Sequence, residues 1–261
     1  MSTIDLFGPY EHNSRMRCPT AKVAICKRNV YLSVFIAALL VLSTTSCTIQ
    51  QHLTLNNTHS GSSQSNLVVS DFFIDVLDDM NVFLEGEDSS SFIAHSVNQV
   101  ATNLLYSATA TSVGTHTTDN NYTLVFDFRN FNRVLDALSG YEKQTIVYVD
   151  ERSVKFSLSM DNYDQLENMV PFLVDPNFET FGPKYNEGMS SDDYLEMMSY
   201  IFGKGAIGAL EDGVISLEIR TPSPIQEITH AYKVDSFTAR FDIPLVTFLL
   251  LEKPIECYVA W

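Results

Sequence analysis

From Ser70 onward, apolar residues recur at helical spacing. Phe73, Val76, Leu77, Met80, Phe83 and Leu84 share one face of a helix that Ser70 caps. A second helix is expected from Ser91, with Phe92, Ile93, Val97, Val100 and Leu104 on one side. Residues 109–120, rich in Thr and free of that rhythm, read as loop. The period then changes to two. Residues 122–128 predict a strand, and Asn130 and Gly140 bracket a short helix. The stretch "QTIVYVDERSVKFSLSM" predicts a hairpin whose second arm turns Val154, Phe156, Leu158 and Met160 inward.

Asp161 opens a further helix reaching to about Leu173. Ser190 or Ser191, followed by Asp192 and Asp193, starts another through Phe202. The last fifty residues alternate again: Ile215, Leu217 and Ile219 form one face, and strands follow over 225–229, 236–243 and 255–261. A short buried helix begins at Pro244. Strand pairs on short turns, interleaved with helices, imply an α+β fold with a mainly antiparallel sheet and helices packed on one face. Residues 67–261 are expected to form this single domain.

The chain ahead of it is different. "VYLSVFIAALLVL" (Val30–Leu42) is almost wholly apolar but short of the roughly 20 residues that a spanning helix needs. Lys22, Lys27 and Arg28 precede it, as in a signal peptide, and Met16 is a candidate true start. The run ends in "STTSC", which resembles the lipobox of bacterial lipoproteins, although Thr44 stands where that family usually has Leu. The resemblance implies that signal peptidase II removes residues 1–46 after Cys47 has taken a diacylglyceryl group through its sulfur. An ordinary cleaved secretion signal and an uncleaved anchor are the alternatives. Residues 47–66, polar and without Asp, Glu, Lys or Arg, read as the lipid-attachment cysteine and a flexible tether. Such a tether would span about 25 Å.

Charge narrows the partners. The 261 residues carry 16 basic and 32 acidic side chains, and removal of residues 1–46 leaves 11 and 30. That balance argues against nucleic acid, which is recognised through basic surfaces. Of four cysteines, only Cys47 and Cys257 lie outside the signal segment, so a disulfide framework is not expected and Cys257 reads as a small core residue.

The motifs that suggest chemistry dissolve on inspection. "GKGAIG" (Gly203, Gly205, Gly208) matches a dinucleotide fingerprint in letters, but a helix precedes it where a strand is required. Asp75, Asp78 and Asp79 share a helix face and read as solvated charge. "DPNFETFGPKYN" lacks the Gly and Glu of a calcium loop, with Thr180 and Asn186 in their places. The histidines show no metal spacing. No catalytic residue, metal or cofactor is expected.

One stretch stands apart. Phe178, Phe181 and Tyr185 sit in a Gly- and Pro-containing loop ahead of a Met-rich helix bearing Met198. Such residues can line a hydrophobic ligand site or simply fill the core. The C-terminal part, with its strand–turn–strand segment over Leu217–Ile243, is similar to LppM-like lipoprotein domains, with "PS" (Pro222, Ser223) where that family commonly has "PG". The resemblance implies a lipid or other hydrophobic ligand and supplies no catalytic residues. The expectation is a lipoprotein anchored in the bacterial cell membrane or outer membrane. Its extracytoplasmic domain would bind a hydrophobic ligand or an envelope protein. An envelope hydrolase using carboxylates and a purely structural surface protein are the alternatives.

Overall fold

Thr48, the first residue after the expected lipidation site, is already part of a sheet. A computed structural model describes residues 47–84, 89–107, 109–140, 143–175 and 178–261; the signal segment, Met16 and the residues ahead of Cys47 lie outside these. Strands β1 (Thr48–Leu55) and β2 (Gly61–Val68) pair as an antiparallel hairpin. The expected tether is therefore ordered, and the domain begins some twenty residues earlier than residue 67.

The misreading has a physical cause. In these two strands Gln51, Ser63 and Ser65 face the core beside Ile49, Leu53, Leu55 and Leu67, so the apolar alternation is broken. They are tolerated because they satisfy one another. Gln51 Nε2 donates to Ser63 Oγ at 2.6 Å, and Ser65 Oγ donates to Gln51 Oε1.

Helices α1 (Asp71–Leu84) and α2 (Ser89–Tyr106) follow, with Ser70 Oγ accepting the Phe73 N–H at 3.4 Å. The expected loop after them is a strand, β3 (Ala110–Thr118), which pairs with β4 (Asn121–Phe128) across the turn at Asp119 and Asn120. Its threonines suit extended backbone. At the sheet edge they are exposed on both sides, so no apolar rhythm marks them. Helix α3 (Phe131–Ser139) is bracketed as expected, Asn130 Oδ1 accepting the Arg133 N–H and Gly140 taking φ 69°.

Strands β5 (Val147–Asp150) and β6 (Ser153–Leu158) form the second hairpin. The helix expected from Asp161 is shorter, α4 (Tyr163–Met169), and ends ahead of Pro171, which has no N–H to continue it. Helices α5 (Ser191–Phe202) and α6 (Gly205–Glu211) join through Gly203 at φ 82°, so the glycine motif is a helix cap and turn. Then come β7 (Val214–Arg220), β8 (Glu227–Thr229), β9 (Tyr232–Lys233), β10 (Thr238–Pro244), α7 (Leu245–Leu250) and β11 (Ile255–Ala260).

The fold class is α+β with mainly antiparallel pairing, as expected, and the strands divide between two sheets. Seven run in the order β3-β4-β2-β1-β7-β10-β9, with β1 and β7 parallel; four run in the order β5-β6-β11-β8. The central cluster draws Leu53, Leu124, Phe126, Phe128 and Ile219 from the large sheet, Val149, Val154 and Val259 from the small one, and Leu104, Phe131 and Val134 from helices. Each such fully buried side chain contributes about 1.5–3 kcal/mol. The opposite face of the large sheet is polar and uncovered, with Gln50, Ser62, Gln64 and Asp127 in solvent.

Candidate functional site

The chain passes from the large sheet to the small one through β10, α7 and β11, and this passage borders an open cavity of ≈ 350 Å³. Phe241 and Ile243 come from β10, Leu250 from α7 and Ile255 from β11. Alternation on β10 turns Phe241 and Ile243 to the core face, and Pro244 breaks the strand and starts the helix. All four apolar side chains are buried and form the floor. His230, Asp242, Glu252, Lys253 and Glu256 form the rim, with Ser191 at the start of α5. The volume falls within the range of about 300–1,000 Å³ usual for small-molecule sites.

Two strained residues border this cavity. Among the described residues, four non-glycine residues have positive φ: His59 and Asp119 lie in hairpin turns, while His230 (56°) and Leu251 (46°) flank the cavity. Such backbone costs of order 1 kcal/mol and is held by its surroundings. The Leu251 N–H donates to the Thr247 carbonyl oxygen at 3.0 Å, and Leu251 is itself buried. His230 Nδ1 lies 3.2 Å from the Glu256 carbonyl oxygen, which can only accept, so Nδ1 carries the proton.

At one end of the rim, Asp242 accepts from Ser216 Oγ at 2.6 Å, Arg240 Nε at 2.8 Å and Tyr232 O–H at 2.8 Å. Partial burial pushes its carboxyl upward, but these three hydrogen bonds outweigh burial and hold it below the ordinary carboxylate value. Asp242 is therefore an engaged anion.

A second depression of ≈ 170 Å³ lies on the uncovered face of the large sheet, lined by His52, Thr54, Ser62, Gln64, Ser112 and Asp127 among others. Asp127 is the single carboxylate in it. His52 Nδ1 is 3.3 Å from Glu218 Oε1.

The four residues singled out in the sequence are not gathered at one place. Met198 is buried with Tyr194, Ala206, Leu210, Val246 and Leu250, and Phe181 packs on the same cluster, 5.2 Å from the Phe202 ring. Phe178 stacks at 5.5 Å on Phe92. Tyr185 is 60% exposed and donates to Glu179 Oε1 at 3.0 Å. Neither cavity is lined by any of the four. Their loop is pinned from within: buried Asn186 donates to the carbonyls of Thr180 and Gly182, and buried Tyr194 donates to that of Phe181. Leu250, shared by the Met198 cluster and the cavity floor, links the two regions. Phe241, Ile243 and Ile255 carried no sequence signal beyond that of core strands.

Cys47 immediately precedes β1, and its carbonyl oxygen accepts the Val214 N–H at 3.3 Å. Its side chain is half-buried against a cluster built on Val69, Ile93 and Tyr122, and burial raises its thiol pKa although hydrogen bonds from Ser70 oppose this. Cys47 and Cys257 are both free thiols in separate clusters. Among the described residues, no group of three or more His, Cys, Asp or Glu could hold a metal ion, and no helix is long and apolar enough to cross a membrane.

No family model matches the chain, and no curated protein matches it. Among solved structures it is similar to the NMR structure of the Mycobacterium tuberculosis LppM folded domain, at 7% identity and a TM-score of 0.36, over 82% of this chain and 87% of that chain. The α+β architecture stands on the strands and helices themselves.

Proposed function

We propose that the chain is a lipid-anchored protein of the bacterial cell envelope whose extracytoplasmic domain binds a hydrophobic ligand between β10, α7 and β11. The observation that carries the ligand reading is the ≈ 350 Å³ cavity with its floor of Phe241, Ile243, Leu250 and Ile255. The strained backbone at His230 and Leu251 supports it, since such conformations collect at functional sites. The anchor rests on "FIAALLVLSTTSC" ending at Cys47. An acyl group there leaves the domain no free linker, because Thr48 already pairs with Val68 and Val214.

The ligand reading is tested by titrating the purified full chain with the apolar dye anilinonaphthalene sulfonate, beside a Thr247→Trp variant. Thr247 lines the cavity and is exposed, so the indole fills space without disturbing the core. Loss of dye binding in the variant is expected, and equal binding by both proteins would sink the assignment. The anchor is tested separately by the intact mass and N-terminal residue of the membrane fraction, with and without a signal peptidase II inhibitor. An acylated Cys47 that vanishes under inhibition is expected; an unmodified soluble product would refute anchoring.

A further inference from the structure

No free chain separates Cys47 from the large sheet. Thr48 pairs with Val68 and Val214, and the Cys47 carbonyl oxygen accepts the Val214 N–H. A membrane that holds Cys47 therefore lies directly against this end of the domain. The corner between α5 and α6 belongs to the same end. Cys47 is hydrogen-bonded to Ser70, Phe72 follows in the first turn of α1, and a Cβ on Gly205 would lie 3.3 Å from the Phe72 ring. At its other end α6 stops at Glu211, and the chain returns to Cys47 at Val214. Among the described residues, α5, α6 and α7 share a core with Phe72 and Phe73 to which no strand contributes.

The corner differs in chemistry from the rest of the chain. Acidic residues outnumber basic ones by 32 to 16, yet from Met197 to Leu210 there is no Asp or Glu, and Lys204 carries the one charge. Tyr200 is 91% and Ile201 50% exposed, and Gly203, Lys204 and Gly205 are exposed beside them. Phe202 turns inward onto the Phe181 ring at 5.2 Å and holds the corner in place. Such side chains suit the boundary between headgroups and acyl chains. A tyrosine ring is apolar with a polar tip, and a lysine stem lies in apolar surroundings while its ammonium stays among headgroups. The exposed acids nearest the anchor, Asp71, Glu211 and Asp212, stand outside the corner. An anionic lipid surface repels them and leaves the acid-free corner as the part of this end that approaches it.

We infer that the α5–α6 corner, through Tyr200, Ile201 and Lys204, seats in the headgroup layer of the membrane that holds Cys47, and so orients the domain on the bilayer. The inference rests on the acylation of Cys47 proposed above. Position relative to the anchor, and not exposure alone, selects this corner. Leu105 (61% exposed) and Tyr106 (85%) are as apolar, but they end α2 just ahead of Ala110. Ala110 pairs with Phe128, Phe128 with Gly61 and Gly61 with Leu55, at the far end of β1 from Thr48. Strand β1 has eight residues, so that end lies about 23 Å from the anchored one.

The test uses the full chain, expressed in a bacterial host, purified from the membrane fraction and reconstituted in vesicles of phosphatidylethanolamine and phosphatidylglycerol. Tyr200→Cys, Ile201→Cys and the far-end control Tyr106→Cys are labelled singly with nitrobenzoxadiazole, and nitroxide-bearing lipid in the vesicles serves as quencher. Cys257 is buried, and an acylated Cys47 has no thiol to label. Quenching several-fold stronger at residues 200 and 201 than at residue 106 is expected, and adding Ile201→Asp to the Tyr200→Cys variant should remove most of it. Equal quenching at all three positions, or none at residues 200 and 201, would overturn the inference. Intact mass separates the two readings: unquenched labels on an acylated protein sink the orientation alone, whereas an unacylated Cys47 sinks the anchor and the orientation together.

Discussion

The Thr54 carbonyl oxygen occupies the place where a side chain on Gly61 would begin: a Cβ built on Gly61 would lie 1.8 Å from it. The two residues meet where β1 turns back into β2, Leu55 pairing with Gly61. Only glycine lets the hairpin close there.

Gly61→Ala is therefore expected to destabilise the domain by at least about 2 kcal/mol, as in an overpacked core. Gly114→Ala is the control, since its Cβ would meet nothing nearer than Val125 Cγ2 at 3.4 Å. Urea unfolding of the two variants checks this; equal midpoints would contradict the close approach.

Asp242 makes stability depend on pH. Its carboxyl titrates lower in the folded protein than in the unfolded chain, so it contributes stability above the unfolded value of about 3.9. That contribution is lost as pH falls through the folded value. At pH 7, Asp242→Ala should cost on the order of 1 kcal/mol, because three hydrogen bonds to a half-exposed anion are lost. The gap between variant and wild type should narrow toward pH 3. Denaturant midpoints across that range measure it, and a constant gap would show that Asp242 is not the titrating group.

Cys257 is 2% exposed on β11, and burial pushes its thiol up to about 12, against a backbone hydrogen bond with Phe156. Its thiolate is scarce at neutral pH, so the native protein should leave Cys257 unlabelled by iodoacetamide while denatured protein labels it fully. Peptide mass mapping after alkylation reads the difference. Rapid native labelling would mean that β11 opens far more readily than its pairing with β6 implies.

Where apolar residues alone make an element's buried face, the chain announces it. Val154 and Leu158 alternate and become β6, and the caps Asn130 and Ser190 sit where their helices start, Ser190 Oγ accepting the Asp193 N–H. The failures fall where polar groups do the packing. Gln51, Ser63 and Ser65 read as linker until each is seen bonded across two strands. The threonines of β3 read as loop because an edge strand has no second buried neighbour to impose a rhythm. The loop residues Phe178, Phe181 and Tyr185 looked alike in sequence. They part company because Tyr194 and Asn186 fix the loop backbone and so decide which ring turns in.

By itself the sequence determined local preference where apolar residues set a rhythm: which of those segments coil, which extend, where their caps fall, and that an apolar signal-like run ends at Cys47. These depend on neighbours within a few residues. The tertiary structure alone decided that β1 lies beside β7, more than 160 residues away, that the strands form two sheets, and that the passage between them leaves a cavity. Those outcomes depend on pairing partners distant along the chain. Their hydrogen bonds convert polar stretches into core strands, and no local window contains both halves of such a bond.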